Sequence, residues 1–296
     1  MPMPNNVILV RHGESIGNLF SRFSKLGLDQ LFPPEFLEQH SSNWRLSDTG
    51  IEQSKAAGEY IRNRMPHFDR YIVSEYTRAE ETAANLNLPD ALWYPEINLR
   101  EREWGDLSAL TYKEKQERFS ASLHERKKDP FFWIPPNGES LAQVCVRVDR
   151  VIQTLHRECE GKNVLVVCHG EIMWAFRVLL ERMTQERFGE LEMSDNPHDN
   201  IHNCQILHYT RVDPISKEIH PYLDWMTSVC PWDLALSSNE PQEIKREGFT
   251  NEKLRQLVER DSRFDELLEK IRELQEVPDS KVTEIMDPYR LQGKLK

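Results

Sequence analysis

Short apolar runs alternate with stretches of helical periodicity over the first 240 residues of the chain. Residues 7–10 (Val-Ile-Leu-Val) and 164–167 (Val-Leu-Val-Val) carry no polar side chain and are rich in β-branched residues. Such runs predict strands that are buried on both faces, as in a parallel sheet. A weaker run at residues 71–73 predicts a third strand, and residues 204–209 and 220–225 predict further strands near one edge.

Helical patterns fill the segments between these strands. Residues 47–50 (Ser-Asp-Thr-Gly) supply N-cap chemistry for a helix over residues 51–65, which ends before Pro66. Residues 78–86, rich in Ala and Glu, predict a second helix, and residues 139–159 predict a third because their apolar side chains recur at helical spacing. A fourth is predicted over residues 171–183, directly after the strand at residues 164–167. Because strands alternate with helices, the pattern predicts an α/β sandwich with a mainly parallel central sheet.

The pattern changes near residue 240. Residues 242–276 hold ten acidic and eight basic residues among 35, with apolar residues at three- and four-residue steps. This stripe predicts an appended amphipathic helix, followed by a loose tail over the last 20 residues. The domain prediction is therefore residues 1–240 and a charged extension over residues 241–296. The helix either packs on its own domain or makes a homodimer or partner contact through residues 250–276.

Composition limits the class of protein. With 38 basic and 49 acidic residues the net charge is −11, which argues against nucleic acid or an anionic membrane as a partner. No apolar run approaches the roughly 20 residues of a membrane span, and the first residues lack the layout of a signal peptide. Five cysteines without CxxC spacing predict free thiols in a reducing compartment. These features predict a soluble, cytoplasmic protein.

Two His-Gly pairs mark the candidate chemistry. Arg11-His12-Gly13 follows the first apolar strand directly, and Cys168-His169-Gly170 follows the strand at residues 164–167 in the same way. In open α/β sheets, ligands bind outside the carboxyl ends of the strands. Two such pairs are therefore expected to meet across one crevice.

The neighbouring residues favour an anion over a metal ion. Arg11 and Arg78 offer planar guanidinium groups for phosphate oxygens, and glycine after each histidine lets backbone N–H groups approach an anion. A zinc site at His198 and His202 is less favoured, because that pair lies in a loop-like stretch. The set predicts transfer of a phosphoryl group from a small phosphorylated substrate through a covalent phosphohistidine, without metal or cofactor.

Longer motifs around these residues resemble the histidine phosphatase superfamily, the phosphoglycerate mutase-like proteins. The segments that carry the resemblance are 10–18 (Val-Arg-His-Gly-Glu-Ser-Ile-Gly-Asn), 46–50 (Leu-Ser-Asp-Thr-Gly), 74–83, 99–105 (Leu-Arg-Glu-Arg-Glu-Trp-Gly), 138–140 (Gly-Glu-Ser) and 166–170. They follow the family's order and cover roughly residues 5–210, which makes coincidence very improbable. The resemblance implies a three-layer α/β/α sandwich with a mainly parallel sheet, here with a C-terminal helical extension.

The resemblance also implies a role for each matching residue. His12 is the expected nucleophile, and His169 is the second catalytic histidine. Phosphate-binding roles are implied for Arg11, Asn18, Arg78 and Gly170. Glu101 is expected to protonate the leaving oxygen and then to activate water, and its preference over Glu103 rests on motif alignment. Substrate contacts are expected at Ser15, Gly17, Arg102 and Asn203.

Two features bear on the reaction type. The basic run at residues 126–128 matches the position where mutases bind a substrate carboxylate, which keeps a phosphoglycerate mutase-type transfer as the alternative. The compact join from Phe131 to Ser140 resembles the broad-specificity phosphatase branch, so hydrolysis is favoured. A catalytically weak scaffold that uses the C-terminal helix is the second alternative.

Two insertions are predicted to cap the site. Residues 19–45 are rich in Phe, Pro and Trp, and residues 106–136 contain the basic run. Loops of such length often act as lids, so both segments are expected to set the size of the substrate. The alternative is a hydrophobic flap packed permanently on the domain.

Overall fold

One seven-stranded sheet organises the protein in a computed structural model that describes residues 3–108, 110–238 and 240–259. The strands are β1 (Asn6–Arg11), β2 (Arg70–Val73), β3 (Trp93–Pro95), β4 (Asn163–Cys168), β5 (Ile206–Thr210), β6 (Trp225–Val229) and β7 (Gln242–Glu243). Their order across the sheet is β3-β2-β4-β1-β5-β6-β7. Strands β3, β2, β4 and β1 pair in parallel, whereas β5, β6 and β7 are added by antiparallel pairing. The carboxyl ends of β1, β2 and β4 therefore lie at one edge.

Helices cover both faces of this sheet. The helices before residue 247 are α1 (Ile16–Lys25), α2 (Pro34–Glu38), α3 (Asp48–Arg64), α4 (Thr77–Asn85), α5 (Tyr112–Lys128), α6 (Leu141–Glu158), α7 (Gly170–Glu181) and α8 (Gln185–Glu192). A further helix, α9 (Asn251–Glu259), belongs to a separate unit described below. Val7 and Leu9 of β1 pack with α6 and α7, whereas Ile8 and Val10 pack with α3 and α4. Side chains alternate across a strand, so an unbroken apolar run supplies both layers. The predicted three-layer α/β/α sandwich is confirmed.

The first insertion, residues 19–45, packs through its own aromatic rings. Phe20 lies 5.1 Å from Phe32 and 5.2 Å from Phe36 between ring centroids, and Phe36 stacks on Trp44 at 5.1 Å. The backbone N–H of Tyr112 donates to Ser24 Oγ at 2.6 Å, so the start of α5 in the second insertion is tied to α1 in the first. The two insertions thus contact each other. Their action as a lid stays a prediction.

The strand predicted at residues 220–225 is wrong, since β6 begins at Trp225. Pro221 has no N–H for a ladder, and His220 Nδ1 bonds Asp224 Oδ2 at 3.1 Å across a turn. The strand predicted at residues 204–209 begins later, at Ile206, because Cys204 has a left-handed φ of +52° that leaves the extended conformation. Both differences arise from turns that end the ladder.

The chain divides into two compact units, Met1–Arg246 and Glu247–Lys296. The first unit extends six residues beyond the predicted boundary because β7 pairs with β6, and because Arg246 donates to Asp224 at 2.6 Å and to two backbone carbonyls. In the second unit, α9 begins at Asn251, and its Leu254 and Val258 are exposed. Most of the predicted contact surface at residues 250–276, and the predicted tail, lie outside the described residues.

Two sequence-based expectations concern the chain as a whole. All five cysteines are buried free thiols, as their spacing predicts. In residues 3–108, 110–238 and 240–259, every helix is too short or too polar to cross a membrane.

Candidate active site

The two histidines meet at the carboxyl edge of the parallel strands. Register pairs Arg11 of β1 with Cys168 of β4, so His12 and His169 leave their strands side by side. The backbone N–H of His12 donates to Cys168 O at 2.9 Å, and the two imidazole rings lie 5.2 Å apart in a T-shaped arrangement. The structure therefore brings together the two His-Gly pairs that the apolar strand pattern predicts to meet at this edge.

His12 presents Nε2 to the site. Its Nδ1 bonds Gly13 O at 2.7 Å, and because a carbonyl only accepts, this nitrogen carries the proton. The lone pair therefore resides on Nε2, which accepts from Arg78 Nε at 3.1 Å. Burial, followed by the charges of Arg78 and Arg11, holds the pKa of His12 well below its ordinary value. The ring is neutral at cellular pH, as a nucleophile must be.

Two guanidinium groups stand beside the imidazoles. Arg78, in the first turn of α4, also donates from Nη1 to Ser41 O at 2.7 Å. Arg11 donates from Nη1 to Ile201 O at 2.5 Å. Gly170 begins α7 and lies next to the Arg11 side chain, since a Cβ at residue 170 would be in ordinary contact, 3.4 Å, with Arg11 Nε. A helix N-terminus and two arginines together favour an anion.

Two buried nitrogens at this edge have no hydrogen-bond partner within the described chain, Arg11 Nε and His169 Nδ1. The Nε2 of His169 bonds Ser74 Oγ at 2.8 Å, and burial holds the pKa of His169 well below its ordinary value. With the serine hydroxyl donating to Nε2, the proton of the neutral ring lies on Nδ1. An unpaired buried donor costs about 1–3 kcal/mol. A phosphate oxygen is an acceptor suited to both nitrogens.

Glu101 is the carboxylate that reaches the histidines. One of its oxygens and one nitrogen from each of His12 and His169 all lie within 4.8 Å of one another. Burial raises the pKa of Glu101, the charge of Arg78 lowers it, and that of Glu171 raises it. Glu103 instead accepts from Gly105 N at 3.1 Å and so holds a turn. The geometry separates the two acids that sequence alignment alone had to choose between.

The three donors would also suit a metal ion by distance alone. The charges around them do not, because Arg11 and Arg78 lower the pKa of both histidines. Two guanidinium groups oppose a cation at this position and favour an anion. Of the other histidine pair, His202 Nε2 bonds Pro197 O at 2.8 Å in a loop.

Three further predicted residues hold the first turn after β1. Ser15 caps α1, and its backbone N–H donates to Asn18 Oδ1 at 3.1 Å. Asn203 Nδ2 donates to His12 O at 3.1 Å and to Asn18 Oδ1 at 3.2 Å. Asn203 therefore joins the late loop to the turn that carries His12, and the three residues form one hydrogen-bonded group next to this turn.

Two predicted substrate contacts have structural roles instead. Gly17 lies against Trp44, since a Cβ at residue 17 would be 2.2 Å from Trp44 Cε3. The side chain of Arg102 is 2% exposed, and its three nitrogens bond Glu171, Glu139 O and Trp133 O. A guanidinium that is 2% exposed and bonded within the protein through each of its nitrogens is not presented to a substrate, so the expectation for Arg102 is corrected.

Gly17→Ala is expected to lower the free energy of unfolding by about 1–3 kcal/mol, because the indole of Trp44 must move off its stack with Phe36. Thermal denaturation measures the change. Gly189→Ala in α8 is the matched control, since a Cβ there meets only Pro130 Cγ, at 3.7 Å. Equal melting temperatures for the two variants would contradict this packing argument.

The sequence interpretation missed three contributors, Ser41, Ser74 and Glu171. Ser74 directly follows β2, and the rule that placed His12 and His169 at strand ends applies to it equally. Glu171 stands in the first turn of α7 next to Gly170, and its charge acts on Arg11 and Glu101. Ser41 contributes a backbone carbonyl, which no residue pattern reveals.

The chain is similar to known proteins in both sequence and fold. Residues 7–209 match the histidine phosphatase superfamily (branch 1). A 2,3-bisphosphoglycerate-dependent phosphoglycerate mutase of Methylobacterium sp. (strain 4-46) is 30% identical over 200 residues, which are 64% of this chain and 88% of that protein. A phosphoglycerate mutase of Schizosaccharomyces pombe is 27% identical over 200 residues, covering 64% and 86% of the two chains.

Solved structures share the fold. The alpha-ribazole phosphatase of Shigella flexneri superposes with a TM-score of 0.55 at 20% identity, covering 74% of this chain and 96% of that one. A mycobacterial glucosyl-3-phosphoglycerate phosphatase in complex with VO3 gives 0.55 at 21% identity, covering 69% and 90%. At these identities the likeness concerns the fold alone.

Proposed function

The chain belongs to the histidine phosphatase superfamily (branch 1), and we propose that it hydrolyses a small phosphomonoester through a phosphohistidine on His12. The observation that carries the proposal is the arrangement around His12 Nε2. This lone pair belongs to a neutral ring and faces Arg78, beside two buried nitrogens that have no partner in the described chain. Such a set suits phosphoryl transfer, where positioning and charge neutralisation supply most of the catalysis.

The proposed reaction has two steps. In the first, His12 Nε2 bonds to phosphorus, the ester P–O bond breaks, and Glu101 gives its proton to the leaving oxygen. In the second, Glu101 takes a proton from water, the water oxygen bonds to phosphorus, and the P–N bond breaks to free His12. The raised pKa of Glu101 suits this double use, because a carboxyl with an ordinary pKa is already ionised when the acid is needed.

The other residues are proposed to bind the phosphoryl oxygens. Arg11 Nε and His169 Nδ1 supply the donors that lack partners, and Arg78 neutralises charge as it develops in the transition state. The N–H of Gly170 opens α7, where the helix dipole favours an anion. Asn18 completes the set from the first turn of α1.

Hydrolysis is favoured over mutase chemistry by what the basic residues do. Arg126, from the run that sequence matched to a carboxylate site, is ion-paired with Glu192 and lies 5.2 Å from the Trp104 ring centroid. Arg102 is likewise engaged by Glu171 at 3.0 Å. Neither guanidinium has its charge free for a substrate carboxylate. The second candidate, phosphoglycerate mutase-type transfer, is supported by the relatives that carry that name.

The two candidates are separated by the products formed from a phosphoglycerate. Phosphate release is expected to be faster than appearance of the isomer, because the basic side chains that would hold a carboxylate are paired within the protein. Phosphate is followed by a colorimetric assay and the isomer by coupled enzymes. The opposite result would be faster formation of the isomer, with Arg126→Ala abolishing isomer formation while phosphate release continues. That result would establish mutase-type transfer in place of hydrolysis.

A further inference from the structure

Arg102 connects the proposed acid to α7. Its backbone N–H donates to Glu101 Oε1 at 2.9 Å. Its guanidinium is clamped by Glu171 Oε2 at 3.0 Å, by the carbonyls of Glu139 at 2.8 Å and Trp133 at 3.1 Å, and by stacking over two indole rings. The residue that orients the Glu101 carboxylate is therefore itself fixed through its side chain.

We propose that Glu171 is a positioning residue for Glu101 that acts through Arg102. This rests on the proposed function, in which Glu101 is the acid and base. Glu171 lies two residues after His169, in the first turn of α7. One helix start therefore carries both the second histidine and the carboxylate that holds the acid in place.

The charge of Glu171 is needed because Arg102 is buried. Among the described residues, Glu171 is its carboxylate partner, while its other hydrogen-bond acceptors are neutral carbonyls. Removing one member of a buried ion pair leaves an uncompensated charge. Glu101 directly precedes Arg102 in the chain. An unneutralised Arg102 guanidinium would attract the Glu101 carboxylate away from the histidines. Glu171 thus keeps the guanidinium and the acid apart.

Glu171 also acts on the protonation of Glu101. The charged or titratable groups that face Glu101 come from several elements and are Arg11, His12, Tyr76, Arg78, Cys168, His169 and Glu171. Burial raises the pKa of Glu101 most, Arg78 and Arg11 lower it, and Glu171 raises it. Removing the charge of Glu171 therefore lowers the pKa of Glu101. The carboxyl then loses its proton at a lower pH.

Glu171→Gln tests the proposal on an alkyl phosphate, whose leaving oxygen needs the proton. We expect kcat to fall about 10- to 100-fold with little change in KM, since misplaced catalytic groups cost this much. The basic limb of the pH profile is expected to move to lower pH. The first step on p-nitrophenyl phosphate, measured as the pre-steady-state burst of nitrophenolate, is expected to change little, because this leaving group departs as an anion without a proton. Glu190→Gln, an exposed ion-pair partner of Arg187, is the matched control.

A second variant separates positioning from charge. Glu171→Asp keeps the charge but ends short of Arg102, so kcat on the alkyl phosphate is expected to fall while the basic limb stays near that of the wild type. Equal losses in the first step on both substrates, or no loss in either variant, overturn the proposal. If neither Glu171 variant loses activity, a loss of activity in Glu101→Gln shows that the proposed function still stands. A wild-type protein inactive on both esters removes the proposed function itself, and the positioning role with it.

Discussion

Replacing His12 by alanine is expected to abolish phosphomonoester hydrolysis, with kcat falling at least about 10⁴-fold. The reason is that His12 Nε2 is the proposed nucleophile, so its loss removes the covalent step instead of weakening it. The measurement is release of p-nitrophenol from p-nitrophenyl phosphate, followed at equal protein concentrations. Rapid quenching with a radiolabelled phosphoester gives the second readout, because an acid-labile, base-stable label on the protein is expected only where His12 is present.

The control for this variant is His198→Ala. His198 is exposed in a loop, so its removal is expected to leave both turnover and labelling unchanged. Full activity in His12→Ala would reject the phosphohistidine mechanism. A wild-type protein that is inactive across a broad phosphoester panel would favour a binding or scaffold role instead.

Glu101→Gln is expected to reduce kcat on alkyl phosphates by about 10²- to 10⁴-fold, the usual contribution of general acid catalysis. Glutamine occupies the same volume but cannot give a proton to the leaving oxygen. The first step on aryl phosphates with acidic leaving groups is expected to suffer less, because such groups depart as anions. A plot of log kcat against leaving-group pKa is therefore expected to be steeper for the variant than for the wild type.

The pH dependence of kcat/KM tests the same role of Glu101 as the acid. The raised pKa of Glu101 keeps it protonated to a higher pH than an ordinary carboxyl, so wild-type kcat/KM is expected to fall as pH rises through that value. The variant has no such group, so its profile is expected to lack this limb. Glu103→Gln is the matched control, because Glu103 holds the turn at Gly105 and Ser108. If Glu103→Gln loses as much as Glu101→Gln, the assignment of the acid is wrong.

The location of the site could be predicted because it depends on backbone layout. Residues 7–10 and 164–167 are apolar on both faces, which identifies central strands, and central parallel strands deliver their following residues to one edge. Arg78 could be predicted from its place at the start of a helix after the strand at residues 71–73, and the family resemblance implies the same role. The proximity of His12 and His169 could be predicted without any side-chain contact, because both residues directly follow central parallel strands.

The partners of each side chain could not be predicted, because they come from distant parts of the chain. The sequence suggests that Arg102 is a cation near the site, yet each of its three nitrogens bonds within the protein, to Glu171, Glu139 or Trp133. Gly17 reads as a residue that admits substrate, yet Trp44 occupies the space beside it. Tertiary packing decides whether a charged residue faces a ligand or the protein, and residue type does not encode that choice.

The bond between Arg78 Nη1 and Ser41 O joins the arginine proposed to bind phosphate to the insertion at residues 19–45. Any equilibrium that moves this insertion therefore changes the free energy of the anion bound to Arg78. By thermodynamic linkage the converse holds with the same factor, so a bound anion must shift the insertion's equilibrium equally. The affinity for inorganic phosphate and the conformational equilibrium of residues 19–45 are therefore linked by one coupling free energy.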